Sequence, residues 1–198
     1  MKRQTGMTAQ ELMSRLQADA AYQAKRAAKD KELAERAEER KLEQKPLLDD
    51  LAAHGVFVAS VDRLVGMPSL DDCIYRILLD HLRRPYSASL LEWIGRAFGH
   101  KSARPIVWKV LIPLLKTHAL KEPAVIGLMA AISKIAGPRD LHILIDLISD
   151  QAIGSSRLSL VSNLMRSKQP EARATLLRLR DDPELVKEIS YRLRRSKG

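Results

Sequence analysis

One cysteine in 198 residues, Cys73, leaves this chain without an intrachain disulfide or a cysteine-based zinc site. It falls in the apolar run of a helix, where a buried and inert thiol is expected. Aromatic residues make up only 4% of the chain, so Leu, Ile, Val and Ala must build the core, a composition suited to interdigitated helices. No apolar stretch reaches the roughly 18 residues of a membrane span, because charges interrupt every run. Met1-Lys2-Arg3 is basic, but Gln4 to Gln10 is not the apolar centre of a secretory signal, so a cytoplasmic protein without a membrane partner is expected. With nine glycines there is neither a G-x-x-x-x-G-K-[ST] loop nor a G-x-G-x-x-G turn. His54, His81, His100, His118 and His142 fall singly in different segments, and no H-E-x-x-H occurs. No metal, no cofactor and no catalytic residue is therefore expected. Only Val56 to Val61 is rich in β-branched residues, and one strand cannot make a sheet.

What remains is helical. Three times in the second half an apolar helix, a short break and another apolar helix follow one another, with breaks at Gly99 to Arg104, Gly137-Pro138 and Lys168 to Pro170. Aligning Ile94, Ile132 and Leu164 sets Val107 to Leu111, Ile143 to Leu147 and Thr175 to Leu179 opposite one another, at spacings of 38 and 32 residues. Hairpins that bury one face only against their neighbours form a quasi-one-dimensional stack. The expected fold is all-α: a short right-handed α-solenoid of antiparallel helical hairpins over residues 69–198, with a long N-terminal helix over 1–45 and a connecting cap over 46–68.

Local signals mark the ends. Thr8 and Glu11 have capping-box spacing, and neither Gly nor Pro occurs between Gly6 and Pro46, so one helix is expected from Thr8 to about residue 44. Past Leu16 its apolar stripe is only alanine, which favours a solvated arm over a partner-binding arm or a homodimeric coiled coil. Leu47, Leu48 and Leu51 suggest a short helix ended by Gly55, and Val61 to Val65 a helical turn capping the first repeat. Ser69 with Asp72 and Ser89 with Glu92 give further capping spacings, and Pro113 is expected to bend a helix over about 103–118. Helices are expected from Ser155 to Ser167 and Pro170 to Arg180, and Asp182-Pro183 should open the last one. For the acid pairs Asp71-Asp72 and Asp181-Asp182, capping is explanation enough.

These hairpins, with their short polar breaks and the proline-interrupted second helix, resemble the HEAT family over about residues 69–196. The Ala/Glu/Arg-rich N-terminal helix, Leu82-Arg83-Arg84-Pro85-Tyr86 and Gly154-Ser155-Ser156-Arg157-Leu158 resemble small bacterial HEAT-repeat proteins of unassigned function. That resemblance implies a fold and no substrate.

Charge points to a binding role. Residues 1–45, 46–153 and 154–198 carry net charges of +3, +1 and +6, so the excess of the +10 total gathers at the C-terminal end. In HEAT-like arrays the second helix of each hairpin lines the inner surface. By that resemblance Arg83, Arg84, Arg104, Lys109, Lys116, Arg139, Arg173, Arg178 and Arg180 form a basic ladder. The expected function is a non-enzymatic scaffold for protein–protein interaction, with an acidic partner. The alternative is nucleic-acid binding, including an enzyme like the alkylpurine DNA glycosylases, which cradle DNA on a basic HEAT-like solenoid with tryptophans and an acid. Trp93 and Trp108 lie in successive helices here, but both border apolar stripes and no acid adjoins Trp108 in sequence.

Overall fold

The computed structural model describes residues 7–195. It is all-helical, and no β-strand occurs among the described residues. Two compact units divide at Glu43 and Gln44.

In the first unit, α1 (Ala9–Ala18) opens with the Thr8/Glu11 capping box: the Thr8 hydroxyl accepts from the Glu11 amide at 3.2 Å, and the Thr8 amide donates to Glu11 Oε2 at 2.8 Å. That reciprocal bonding holds the Glu11 carboxyl below its ordinary range. The expected unbroken helix is interrupted at Asp19, which ends α1 in an extended conformation and caps the next helix, Oδ1 accepting from the Tyr22 amide at 3.0 Å. Helix α2 (Ala20–Ala53) then passes through Pro46 instead of stopping before it. Pro46 removes one hydrogen bond from the helix, and both it and Leu42, whose carbonyl loses that donor, are exposed residues. The ion pairs of α2's first unit, such as Lys31 with Glu35 and Arg36 with Glu32, are exposed i,i+4 contacts that contribute only tenths of a kcal/mol each.

In the second unit a single hydrophobic cluster extends from Leu47 to Ile189. Leu47 and Leu51, at the end of α2, are fully buried. A 3₁₀ turn over Val61–Gly66 buries Val61 and Leu64 and packs on α4 (Ala88–Ala97); the Leu64 carbonyl also meets His100 Nε2 at 2.9 Å. Helix α3 is Asp72–His81. Its N-cap is Asp71 and not Ser69, while α4 is capped by Ser87 and not Ser89, the Ser87 hydroxyl accepting from the Leu90 amide at 3.3 Å. Ile74, Tyr75, Leu78 and His81 take the buried face of α3, which leaves Cys73 exposed, contrary to expectation.

Helices α5 (Arg104–Lys116), α6 (Glu122–Ile135), α7 (Leu141–Ser149), α8 (Leu158–Arg166), α9 (Pro170–Arg178) and α10 (Val186–Arg195) follow. The three expected breaks are present, two of them as 3₁₀ turns at Lys101–Ala103 and Pro138–Asp140. Helix α8 begins three residues later than expected, since Gln151–Arg157 forms 3₁₀ turns around Gly154, whose φ of 69° suits a residue without Cβ. Helix α4 packs on α6, α6 on α8 and α8 on α10; α3 packs on α5 and α7 on α9. Across these, α5 meets α6, and α8 meets both α7 and α9. The registered residues Ile94, Ile132 and Leu164 are all buried.

Two polar clusters lock the ends of this unit. His81, wholly buried, meets Asp50 Oδ2 through Nε2 at 2.8 Å and the Tyr86 hydroxyl through Nδ1 at 2.7 Å, fixing the end of α2 to α3. The bond to His81 holds the Asp50 carboxyl below its ordinary range. At the other end Arg157, 2% exposed, spends its guanidinium on five contacts: the carbonyls of Ile148 and Gly154, both oxygens of Asp182, and Glu184 Oε2. The last helix starts at Val186 and not at Pro183, so Asp182 is not its N-cap: Oδ1 accepts from the Glu184 amide at 3.0 Å in a turn ahead of the helix, and the side chain is buried against Arg157.

Candidate functional site

The breaks between helices come together on one edge of the second unit and are stitched to each other. Arg104, at the start of α5, donates to the Ile135 carbonyl at 3.1 Å and to Asp140 Oδ1 at 2.8 Å, tying the first break to the second. Gln169 donates to the Pro138 carbonyl at 3.3 Å, tying the third to the second. Between α6 and α8 the Ser133 hydroxyl donates to Asn163 Oδ1 at 2.6 Å, and Asn163 Nδ2 returns a bond to the Ser133 carbonyl at 2.9 Å.

Arg104 is held on a third side as well. Its guanidinium carbon lies 4.1 Å from the ring centroid of Trp108, one turn along α5. Asp140, only 8% exposed, gives its other oxygen to the Gly137 amide at 2.6 Å. Burial by itself would push this carboxyl up, but Arg104 and the Gly137 amide outweigh it and hold the group below its ordinary range.

Clefts lie between the stitched breaks. One of about 520 Å³ separates the first and second breaks and is bounded by Lys101, Arg104, Lys134, Arg139 and Asp140. One of about 530 Å³ separates the second and third, with Arg166, Lys168 and Asn163 around an aliphatic floor that includes Pro138, Leu141 and Leu144. A smaller one of about 190 Å³ continues past Lys168 to Arg173, over Leu164, Leu176 and Leu193. Asp140 is the one acid lining these three clefts, and both its oxygens are taken. No ion pair involves Lys101, Lys134, Arg139, Arg166, Lys168 or Arg173 among the described residues.

The expected ladder is thereby divided. Arg104, Arg139 and Arg173 belong to the cleft edge. Lys116 and Arg178 sit at the opposite ends of their helices and are engaged, Lys116 with Asp146 at 3.4 Å and Arg178 with Ser149 Oγ at 2.8 Å. Arg180 pairs with the adjacent Asp181 at 3.2 Å, and Arg84 lies 3.5 Å from Asp50. Arg83 and Lys109 are exposed and line none of the three clefts. Lys101, Lys134, Arg166 and Lys168 were not singled out from the sequence, although a signal existed: Arg96, Lys134 and Arg166 each stand two residues after a registered apolar residue. Of the two tryptophans expected to border the core, Trp108 packs at its edge, whereas Trp93 is exposed. Trp93 is 38% exposed beside Arg96, and Trp108 is covered by Arg104, which in turn carries Asp140, an acid brought near by the fold and not by sequence. Among the described residues no group of three or more His, Cys, Asp or Glu is placed to hold a metal ion, and no helix is long and apolar enough to cross a membrane. Compared with protein-family models, with curated proteins and with solved structures, the chain matches none, so its likeness to the HEAT family rests on the residues quoted for it above.

Proposed function

We propose that the chain is a non-enzymatic scaffold, a short solenoid of stacked helical hairpins, that takes an acidic, partly aliphatic protein segment along the edge formed by its breaks. The observation that carries this reading is the pairing of unmatched cations with aliphatic floors in adjoining clefts. Carboxylates of such a segment meet Arg166, Lys168 and Arg173, while its apolar side chains meet Pro138 and Pro170, which are exposed in these clefts. The stitching of the breaks supports it too, because a rigid surface loses little entropy on binding. A single-stranded nucleic acid calls for aromatic platforms, and no aromatic residue lines these clefts.

Salt titration tests the reading. Binding of an Asp/Glu/Leu peptide should weaken only modestly with salt. Tighter binding of duplex DNA than of the peptide, with the steep log-linear loss of counterion release, contradicts it.

A further inference from the structure

The two larger clefts have nearly equal volumes but unequal charge. The one between the second and third breaks sets Arg166 and Lys168 over an aliphatic floor. The one between the first and second breaks gathers four cations against one carboxylate, a net +3. Neither oxygen of that carboxylate is open to a ligand, since Arg104 holds one and the Gly137 amide the other. Lys101, Lys134 and Arg139 are exposed and have no ion-pair partner among the described residues. Arg104 is fixed by Trp108, by the Ile135 carbonyl and by Asp140, and only part of its donor fork is used.

We propose that this cleft seats a phosphorylated side chain, a phosphoserine or phosphothreonine of the acidic segment; this rests on the scaffold reading above. A carboxylate brings one charge to a place where several unpaired cations converge. A phosphoryl group brings about −1.5 to −2 and a further acceptor oxygen, and so satisfies more of them at once. The neighbouring cleft, with fewer cations and more apolar surface, then takes the flanking aliphatic and carboxylate side chains. One segment crossing Gly137-Pro138, whose residues border both clefts, spans the two.

Fluorescence anisotropy on the full chain tests this, using three labelled peptides of Asp, Glu and Leu that differ only at a central position: phosphoserine, serine or glutamate. The phosphopeptide should bind about tenfold tighter than the serine peptide, and inorganic phosphate should erase that difference. A Lys101→Ala/Arg139→Ala variant, with the far-ultraviolet dichroism of the parent, should bind the phosphoserine and serine peptides equally. Equal binding of the three peptides, or a preference that survives in the variant, overturns the phosphoryl seat and leaves the scaffold reading standing. Failure of all three peptides to bind overturns both.

Discussion

Gly95 of α4 and Gly127 of α6 bring two helix backbones into direct contact. A Cβ at Gly95 would stand 2.8 Å from the Leu128 amide nitrogen, and one at Gly127 would run into the Glu92 carbonyl. Backbone atoms cannot swing aside as a side chain can, so Gly127→Ala is expected to destabilise the fold by about 3 kcal/mol, toward the upper end for overpacking. Gly66→Ala, where nothing lies within 4 Å of the added atom, should change stability by less than about 0.5 kcal/mol. Urea denaturation of the two variants checks this, and equal midpoints would refute the close crossing.

The Arg157 cluster makes a second prediction. Arg157→Met removes the cation facing Asp182, whose side chain is 5% exposed, and should cost about 3–5 kcal/mol by leaving a buried carboxylate unpaired. The hydrogen bond from Arg157 is the main cause holding the Asp182 carboxyl below its ordinary range. A carboxyl with a depressed folded value binds its proton more readily when unfolded. Its stabilisation is therefore present above the ordinary carboxylate range and is lost as pH falls through the lowered value. The parent should lose stability across that acid window, and Arg157→Met should lose less across it. Denaturation midpoints measured from neutral pH downward read the difference.

Truncation tests the division of the chain. Gln44 Oε1 accepts from the Val61 amide at 3.0 Å, and Leu47 and Leu51 are fully buried, so the second unit needs the part of α2 that starts at Gln44. Removing residues 1–43 should leave the thermal midpoint of the second unit within a few degrees of the parent, whereas removing 1–53 should lower it sharply or abolish folding.

Cys73 supplies a simple check of the α3 face. As an exposed thiol it should react fully with Ellman's reagent in the folded protein. Reaction only after denaturation would mean that α3 is rotated from the orientation described.

Helices and breaks were legible because both depend on neighbours in sequence: apolar spacing sets the buried face, and Gly137-Pro138 and Pro170 punctuate it. The interruption at Asp19 was harder to read because no Gly or Pro marks it; a single carboxylate at an N-cap breaks an otherwise favourable alanine-rich run. Register showed that Ile94, Ile132 and Leu164 share an environment, but not that Gly95 and Gly127 touch, which depends on how two helices cross. The same holds for charge. Arg104 and Asp140 are 36 residues apart, as Arg157 and Asp182 are 25 apart, and only the fold reveals which cations are consumed. A ladder of basic residues read from sequence therefore mixed engaged side chains, Lys116 and Arg178, with unengaged ones, Arg139 and Arg173.

The most direct test of the account compares charge reversal at the two ends of these helices. Lys134→Glu/Lys168→Glu alters the cleft edge, and Lys116→Glu/Arg178→Glu alters the opposite ends, with the same change in net charge. The first pair should weaken binding of the Asp/Glu/Leu peptide at least about tenfold by isothermal titration, and the second by less than about threefold. Equal losses from both would show that only overall charge attracts the ligand and would contradict a binding edge at the breaks.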